Sequence, residues 1–454
     1  MPTNCVLHHF VRVTKLPHMC ARKNMSPLRA GPKGRTLFLL LSCLAVARVV
    51  AARETTDWLK AAPGQLQWWQ DARFGMFICW GPVSLTGREI GWSRGKARPD
   101  QIQGGKGPTP VEVYDNLYRQ WKPDKFDAKK WVKVAKAAGA KYMIFLVRHH
   151  DGFSLYDTRL SDYKSTSAEA AWEHDVMRDI ADACHAAGLK LIVYYSQPDW
   201  HHPDYRTENH ARFIHYLHGQ IRELLTNYGR IDGLWFDGLG GAADDWDAEN
   251  LFRMVRGIQP WLIINNRCGL PGDYDTPEQK LGRFQPDRPW ETCMTLGTQW
   301  SWKTNDTIKS LKQCIDTLVT CAVRGGNLAL NTNPMPDGRI EPRQVERFCE
   351  IGRWLRKYGP TIYATRGGPL PSASWGGMAH RDNSIYVHVL QWPGERLMLP
   401  PIPKRIIASS VVTGGKVTMH QTDAGIEILV PPSDRQELDT IIALKLDGPA
   451  ADIK

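Results

Sequence analysis

The first 52 residues contain no Asp or Glu, against eight Lys and Arg. No apolar run is long enough to cross a bilayer, since the longest, Leu37 to Ala47, has 11 residues and would span about 16 Å as a helix against roughly 30 Å of hydrocarbon. Stable membrane insertion is therefore not expected. CxxC, HxH and HExxH spacings are missing from the chain, which removes the sequence signatures of zinc ribbons, thiol redox motifs and zincin metalloproteases. No glycine-rich nucleotide loop follows the first apolar strand, and there are no internal repeats or low-complexity segments.

The acid-free start has a meaning of its own. Lys33 and Arg35 precede the apolar stretch and Val49-Val50-Ala51-Ala52 follows it, the charged, apolar and small-residue order of a secretory signal. Residues 1–52 are expected to be a signal peptide with a basic leader, and initiation at Met25 would give it an ordinary length. Secretion or periplasmic export follows, or delivery to a lysosomal-type lumen in a eukaryote. The remaining 402 residues carry 50 Lys and Arg against 47 Asp and Glu. That near-neutral balance argues against nucleic acid as a partner. Seven cysteines remain, odd in number and scattered, so they outline neither a disulfide framework nor a metal site. A homo-oligomer stays open.

What is abundant is tryptophan, 18 in all, and flat aromatic faces suit the C–H surfaces of sugars. From residue 74 to about 335 apolar strands alternate with amphipathic helices. The strands are expected at Phe74 to Trp80, Tyr142 to Arg148, Leu189 to Tyr195, Ile231 to Phe236, Trp261 to Asn265 and Asn327 to Asn331. Trp131, Val134, Ala135 and Ala138 share one face of the helix between the first two. Such alternation implies a parallel sheet, and six strands over this length fit a (β/α)8-like barrel, with two strands unplaced. Past residue 365 the segments 384–391, 405–413, 425–430 and 440–446 are short, β-rich and separated by turns. The expected organisation is a barrel over 53–365 and a small C-terminal antiparallel β-sandwich over 366–454.

In such barrels the carboxyl ends of the strands carry chemistry. Asp237 ends the apolar run Ile231 to Phe236, and its alternative role is a helix N-cap. Other strand ends bring Cys79-Trp80-Gly81, Arg148-His149-His150-Asp151, Tyr194-Tyr195-Ser196 and Asn265-Asn266-Arg267. Together with Arg73-Phe74-Gly75-Met76-Phe77, Leu234-Trp235-Phe236-Asp237-Gly238, Trp290-Glu291, Gly326-Asn327-Leu328 and Pro334-Met335-Pro336-Asp337-Gly338, these blocks resemble an α-L-fucosidase of glycoside hydrolase family 29 over about residues 55–365.

The resemblance implies a retaining hydrolase without metal or organic cofactor, acting on a fucosylated glycan or glycoconjugate. It places the nucleophile at Asp237 and the acid/base at Glu278, with Glu291 the rival. It puts Glu89, His149, His150, Tyr195 and Arg267 on the sugar's hydroxyls and ring oxygen, and Trp92 and Trp302 on its apolar face. The chain departs from the family pattern at Cys79, where His is usual before Trp-Gly, and at Arg148, where Lys commonly precedes the His pair. Two other readings stay open, a catalytically weak carbohydrate-binding protein, suggested by Cys79, and a metal-dependent barrel hydrolase built on His149 and His201.

Overall fold

The apolar runs read above as strands are buried on both faces, as strands in a parallel sheet covered by helices must be. The computed structural model describes residues 57–62, 64–96, 104–285 and 287–453. The expected signal segment, residues 1–52, lies outside them. Seven parallel strands run β1 (Phe74–Ile78), β2 (Tyr142–Arg148), β3 (Lys190–Tyr195), β4 (Gly233–Phe236), β5 (Ile263–Ile264), β6 (Glu291–Thr295) and β7 (Asn327–Thr332). Their spatial order is β5, β4, β3, β2, β1, β7, β6, which follows the chain around a ring.

The ring is completed by an irregular stave. Tyr274 bridges in parallel to Asn265 just past β5, Asp275 to Trp290 just before β6, and Glu278 to Cys293 on β6. These two pieces are the strands the sequence did not reveal. Tyr274 to Glu278 contains Pro277, which cannot donate to a ladder, and β6 reads Glu-Thr-Cys-Met-Thr with no apolar run. The architecture is thus a (β/α)8-like barrel.

Helices enter on side-chain caps. Asp127 and Asp175 accept from the amides three residues on, at Lys130 and Arg178, to start Ala128–Ala137 and Val176–Ala187, and Ser310 with Gln313 forms a capping box before Leu311–Val323. Gly188 closes the second of these helices at φ +63°, a conformation costly for other residues. No helix among the described residues is long and apolar enough to cross a membrane.

After the helix Pro342–Tyr358 the chain turns to two antiparallel sheets. One has five strands, β8 (Arg366–Gly367), β9 (Gly376–Arg381), β10 (Ser384–Val389), β12 (Ile406–Val411) and β15 (Thr440–Leu446), and the other three, β11 (Leu397–Leu399), β13 (Thr418–Thr422) and β14 (Gly425–Leu429). Met378, Ile385, Val387, Ile426, Ile428 and Leu444 pack between them as a second core. Ala379 and Ile441 join the barrel core instead. His388, fully buried against Asp439 at 2.6 Å, also faces the carbonyl of Thr361 at 3.3 Å, so the sheet is fastened to the turn that follows the last barrel helix.

Candidate active site

Asp237 follows the last residue of β4, and its surroundings pin it from the backbone outward. Phe236 N donates to Asn265 Oδ1 at 2.8 Å while Asn265 Nδ2 donates back to Phe236 O at 2.8 Å, locking the ends of β4 and β5 together. The Asp237 amide donates to Gln197 Oε1 at 2.8 Å. Its carboxylate accepts from Tyr194 OH at 2.7 Å on Oδ2 and from Arg267 Nη1 at 3.0 Å on Oδ1. Asp237 caps no helix: the next one, Ala248–Ile258, has Asp247 at its N-cap.

Glu278 comes off the irregular stave and meets the same arginine. Arg267 Nη1 lies 2.8 Å from Glu278 Oε2 and 3.0 Å from Asp237 Oδ1, so those two oxygens are at most 5.8 Å apart. Retaining glycosidases hold their carboxyl pair about 5–5.5 Å apart and inverting ones about 6.5–9.5 Å; a bound of 5.8 Å lies below the inverting range. The guanidinium is itself fixed, by Thr276 Oγ1 at 2.9 Å on Nε, by Thr276 O at 2.8 Å on Nη2 and by the Trp235 ring 4.5 Å from its carbon.

The two acids border a cavity of about 560 Å³, part of it open to solvent, lined also by Phe77, Cys79, Trp92, His149, His150, Tyr194, Trp235, Leu239, Arg267, Cys293 and Trp300. Its enclosed, water-accessible part, about 160 Å³, leaves room for one small molecule. His150 is held as a neutral ring. Burial first, then the Arg148 and Arg267 charges, push its pKa down to about 3. Ser196 Oγ donates to Pro198 O at 3.0 Å and meets His150 Nδ1 in a short hydrogen bond, so Nδ1 carries the proton and Nε2 is left as an acceptor. That Nε2 sits 3.6 Å from Asp237 Oδ2, where a ligand hydroxyl could donate to both. His149 stacks on Tyr194 with ring centroids 6.0 Å apart and nearly parallel planes, and burial holds it neutral too. At the mouth Trp92 is 47% exposed, with Trp200 and His150 packed edge-on against it. Burial raises the Cys79 thiol well above its usual range, leaving it an uncharged, weakly polar patch of wall.

Several expected contacts fall elsewhere. Tyr195 points outward, its OH donating to Gln220 Oε1 at 2.7 Å on the helix His210–Asn227; its neighbour Tyr194 faces the cavity, because successive side chains of a strand alternate. Glu291 is fully buried near the opposite ends of the strands, accepting from Trp235 Nε1 at 3.2 Å and paired with Tyr142 OH. It begins β6, whereas the cavity lies beyond the strands' carboxyl ends, so the rival acid cannot reach a sugar there. Glu89 does not line the cavity. Its carboxylate accepts from the amides of Trp300 at 2.9 Å, Ser301 at 3.2 Å and Ile90 at 3.1 Å, and so holds Trp300 in the wall. Trp302, two residues further on, is absent from that wall.

Arg148 also turns away, to Asp199 Oδ2 at 2.7 Å and the Tyr195 ring at 4.3 Å, so it makes no contact in the cavity and acts there only through its charge on His150. Tyr194, Trp235 and Trp300 were not singled out as sugar contacts. Trp235 lies two residues before Asp237 on one strand, and alternation alone would have placed it inward. Tyr194 needed the register, which pairs it with Trp235.

Among the described residues one trio, His149, His150 and Asp237, brings ligand-type atoms within 4.8 Å of one another. His201 is not in it, but stacks on Tyr163 at 4.1 Å, which removes the His149 and His201 pairing. The trio is a poor fit for a dication. Both Asp237 oxygens are already taken, one of them by a guanidinium, and a second cation beside that charge is repelled.

Comparison with known proteins bears on the same site. Residues 43–360 match the family model described as alpha-L-fucosidase. The chain is 26% identical over 402 residues to the tissue alpha-L-fucosidase of Homo sapiens, covering 81% of this chain and 85% of that one. It superimposes on alpha-L-fucosidase isoenzyme 1 from Paenibacillus thiaminolyticus with a TM-score of 0.76 and 33% identity, covering 85% of this chain and 99% of that one. A family 29 alpha-L-fucosidase from Bacteroides thetaiotaomicron, trapped as a covalent intermediate with 2-fluoro-fucosyl fluoride in a glutamate-to-glutamine mutant, aligns with a TM-score of 0.74 and 27% identity over 86% of this chain and 97% of its own. A barrel ending in a cavity with paired carboxyl groups, and a family match across 43–360, lead to one conclusion: the chain belongs to the alpha-L-fucosidases of glycoside hydrolase family 29.

Proposed function

We propose that the chain is an exo-acting, retaining α-L-fucosidase that hydrolyses terminal α-L-fucosides through a glycosyl-aspartate on Asp237. The observation that carries the reading is the shared Arg267 nitrogen, which bounds the Asp237 and Glu278 oxygens at 5.8 Å. Asp237 attacks the anomeric carbon, the bond to the leaving oxygen breaks, and Glu278 gives that oxygen its proton. Water then attacks the same carbon, yielding a proton to Glu278 and returning the electron pair to Asp237. Two inversions leave the configuration retained.

His150 Nε2 serves as an acceptor for a sugar hydroxyl, and His149 lies beside it. Phe77, Trp235 and Trp300 offer the apolar surface a deoxysugar's methyl group needs. A cavity sized for a single small molecule favours a chain-terminal residue over an internal one. The relative trapped as a covalent intermediate with 2-fluoro-fucosyl fluoride supports the covalent route. Fucosylated glycans or glycoconjugates are the substrate class. The leader supports secretion, periplasmic export or entry to a lysosomal-type lumen, in keeping with relatives named tissue and plasma alpha-L-fucosidases.

The test is release of nitrophenol from an aryl α-L-fucoside, with Asp237→Asn lowering kcat at least about 10³-fold, and mass-spectrometric mapping of a 2-fluoro-fucosyl label to Asp237. Fucose binding without turnover of any fucoside would convert the reading to a carbohydrate-binding protein. A label on another residue would displace Asp237.

A further inference from the structure

Resting on that reading, we propose that Arg267 is a shared countercharge for both reacting carboxylates, and that it carries Glu278 from acid to base without itself moving. A single nitrogen, the Nη1 amino group with its two N–H donors, meets both acids, at 3.0 Å for Asp237 and 2.8 Å for Glu278. The other guanidinium contacts, both to Thr276, and the Trp235 ring beneath it are independent of either carboxylate. The cation therefore keeps its place whichever acid is charged.

The rest of the cavity is electrically quiet. The titratable groups facing the pair are Tyr194 and His149 and His150 from β3 and the end of β2, and Cys79 and Cys293 from β1 and β6. Burial favours the neutral form of each. Arg148 lies behind His150 and is tied to Asp199, while Glu89 is spent on three backbone amides. Among the described residues lining the cavity, Arg267 is the one cation.

Charge can then be followed through the cycle. In the free enzyme the negative charge is on Asp237 and the proton on Glu278. When Asp237 bonds to the anomeric carbon its charge is lost to the ester, and Glu278, having given its proton to the leaving oxygen, becomes the carboxylate. One negative charge has passed from one end of the Arg267 contact to the other. Hydrolysis reverses it, since the proton of the attacking water goes to Glu278 and the electron pair of the broken ester bond returns to Asp237. A fixed cation stabilises both states without reorganising. It also favours the ionised form of Glu278 once Asp237 is esterified, which is when a base is needed.

The experiment measures Arg267→Gln and Arg267→Lys with an aryl fucoside of good leaving group, recording the pH profile of kcat/KM and the pre-steady-state release of phenol. Loss of the cation removes the charge both carboxylates share, so both limbs of the free-enzyme profile should move up. Above the acid limb Asp237 is ionised and still attacks, whereas Glu278 in the glycosyl-enzyme lacks the countercharge that supports it as a base, so hydrolysis becomes limiting there. A burst of about one equivalent of phenol per site should appear where the wild type shows a smaller one. Arg267→Lys keeps a charge that reaches only one carboxylate and should move one limb alone.

Limbs left in place, with the loss confined to KM, would overturn the proposal and reduce Arg267 to a sugar contact. If Arg267→Gln does not fold, Arg267→Lys decides by itself, since a profile identical to wild type would likewise overturn the idea. Failure of the underlying assignment looks different, because Asp237→Asn would then retain turnover whatever Arg267 does.

Discussion

Tyr194 and Tyr195, adjacent on β3, end on opposite sides of the barrel wall, one hydroxyl 2.7 Å from Asp237 and the other 2.7 Å from Gln220. The two phenols therefore separate function from stability. Tyr194→Phe removes a hydrogen bond to a charged acceptor, worth about 1.5–3 kcal/mol, and should lower kcat about ten- to a hundredfold with little change in melting temperature. Tyr195→Phe should do the reverse, leaving turnover near wild type while the unpaired Gln220 lowers stability by about 1–2 kcal/mol in urea unfolding.

Glu278 and Glu291 answer to different assays. Glu278→Ala should slow fucosides with poor leaving groups by about 10²-fold or more and nitrophenyl fucosides far less, with azide restoring the rate as an external nucleophile. Rescue by azide in Glu291→Ala instead of Glu278→Ala would reverse the assignment.

Glu291 should register in stability against pH. Burial pushes its pKa from 4.5 up to about 7. The folded state therefore holds the proton more tightly than the unfolded chain. Its contribution is present in full below about pH 4.5 and is lost as pH rises through 7, by about 3 kcal/mol in all. Glu291→Gln should remove this slope in denaturant titrations at pH 5 and pH 8, and should still turn over fucosides.

Cys79 lines the cavity, but its thiol stays protonated at neutral pH. Alkylation follows the thiolate, so iodoacetamide at pH 7 should leave activity intact. Cys79→His would set a donor and acceptor against the sugar. A recovered hydrogen bond of about 1–2 kcal/mol should lower KM for an aryl fucoside roughly five- to thirtyfold. An unchanged KM would mean that no sugar hydroxyl faces this position.

Dialysis against a chelator should leave kcat unchanged, because Asp237 in the His149, His150 and Asp237 trio is already bound to Arg267. Activity lost to the chelator and restored by zinc would revive the metallohydrolase reading.

The barrel was legible where a buried strand is written mostly in apolar residues, as in β1 to β4. The stave at Tyr274 to Glu278 and β6 were hidden, since one carries a proline and two acids and the other opens on two polar residues, Glu291 and Thr292, that are satisfied inside. Glu89 was misplaced because a carboxylate on a loop looks the same in sequence whether it meets a sugar or three amides. Of the C-terminal sheets, four strands stood out as β-rich segments, and β8, β9, β11 and β13 did not.

Sequence by itself determined that strands and helices alternate, that Asp237 ends a strand, and that Glu278 is an acid near Arg267 along the chain. Those are local properties, set by periodicity and by which residues adjoin. Tertiary structure alone decided which tyrosine enters the cavity, which glutamate faces Asp237, and that one arginine nitrogen serves both acids. Each of these depends on register across the sheet and on where a loop crosses the barrel mouth. A one-residue slip in register exchanges every inward side chain for its outward neighbour.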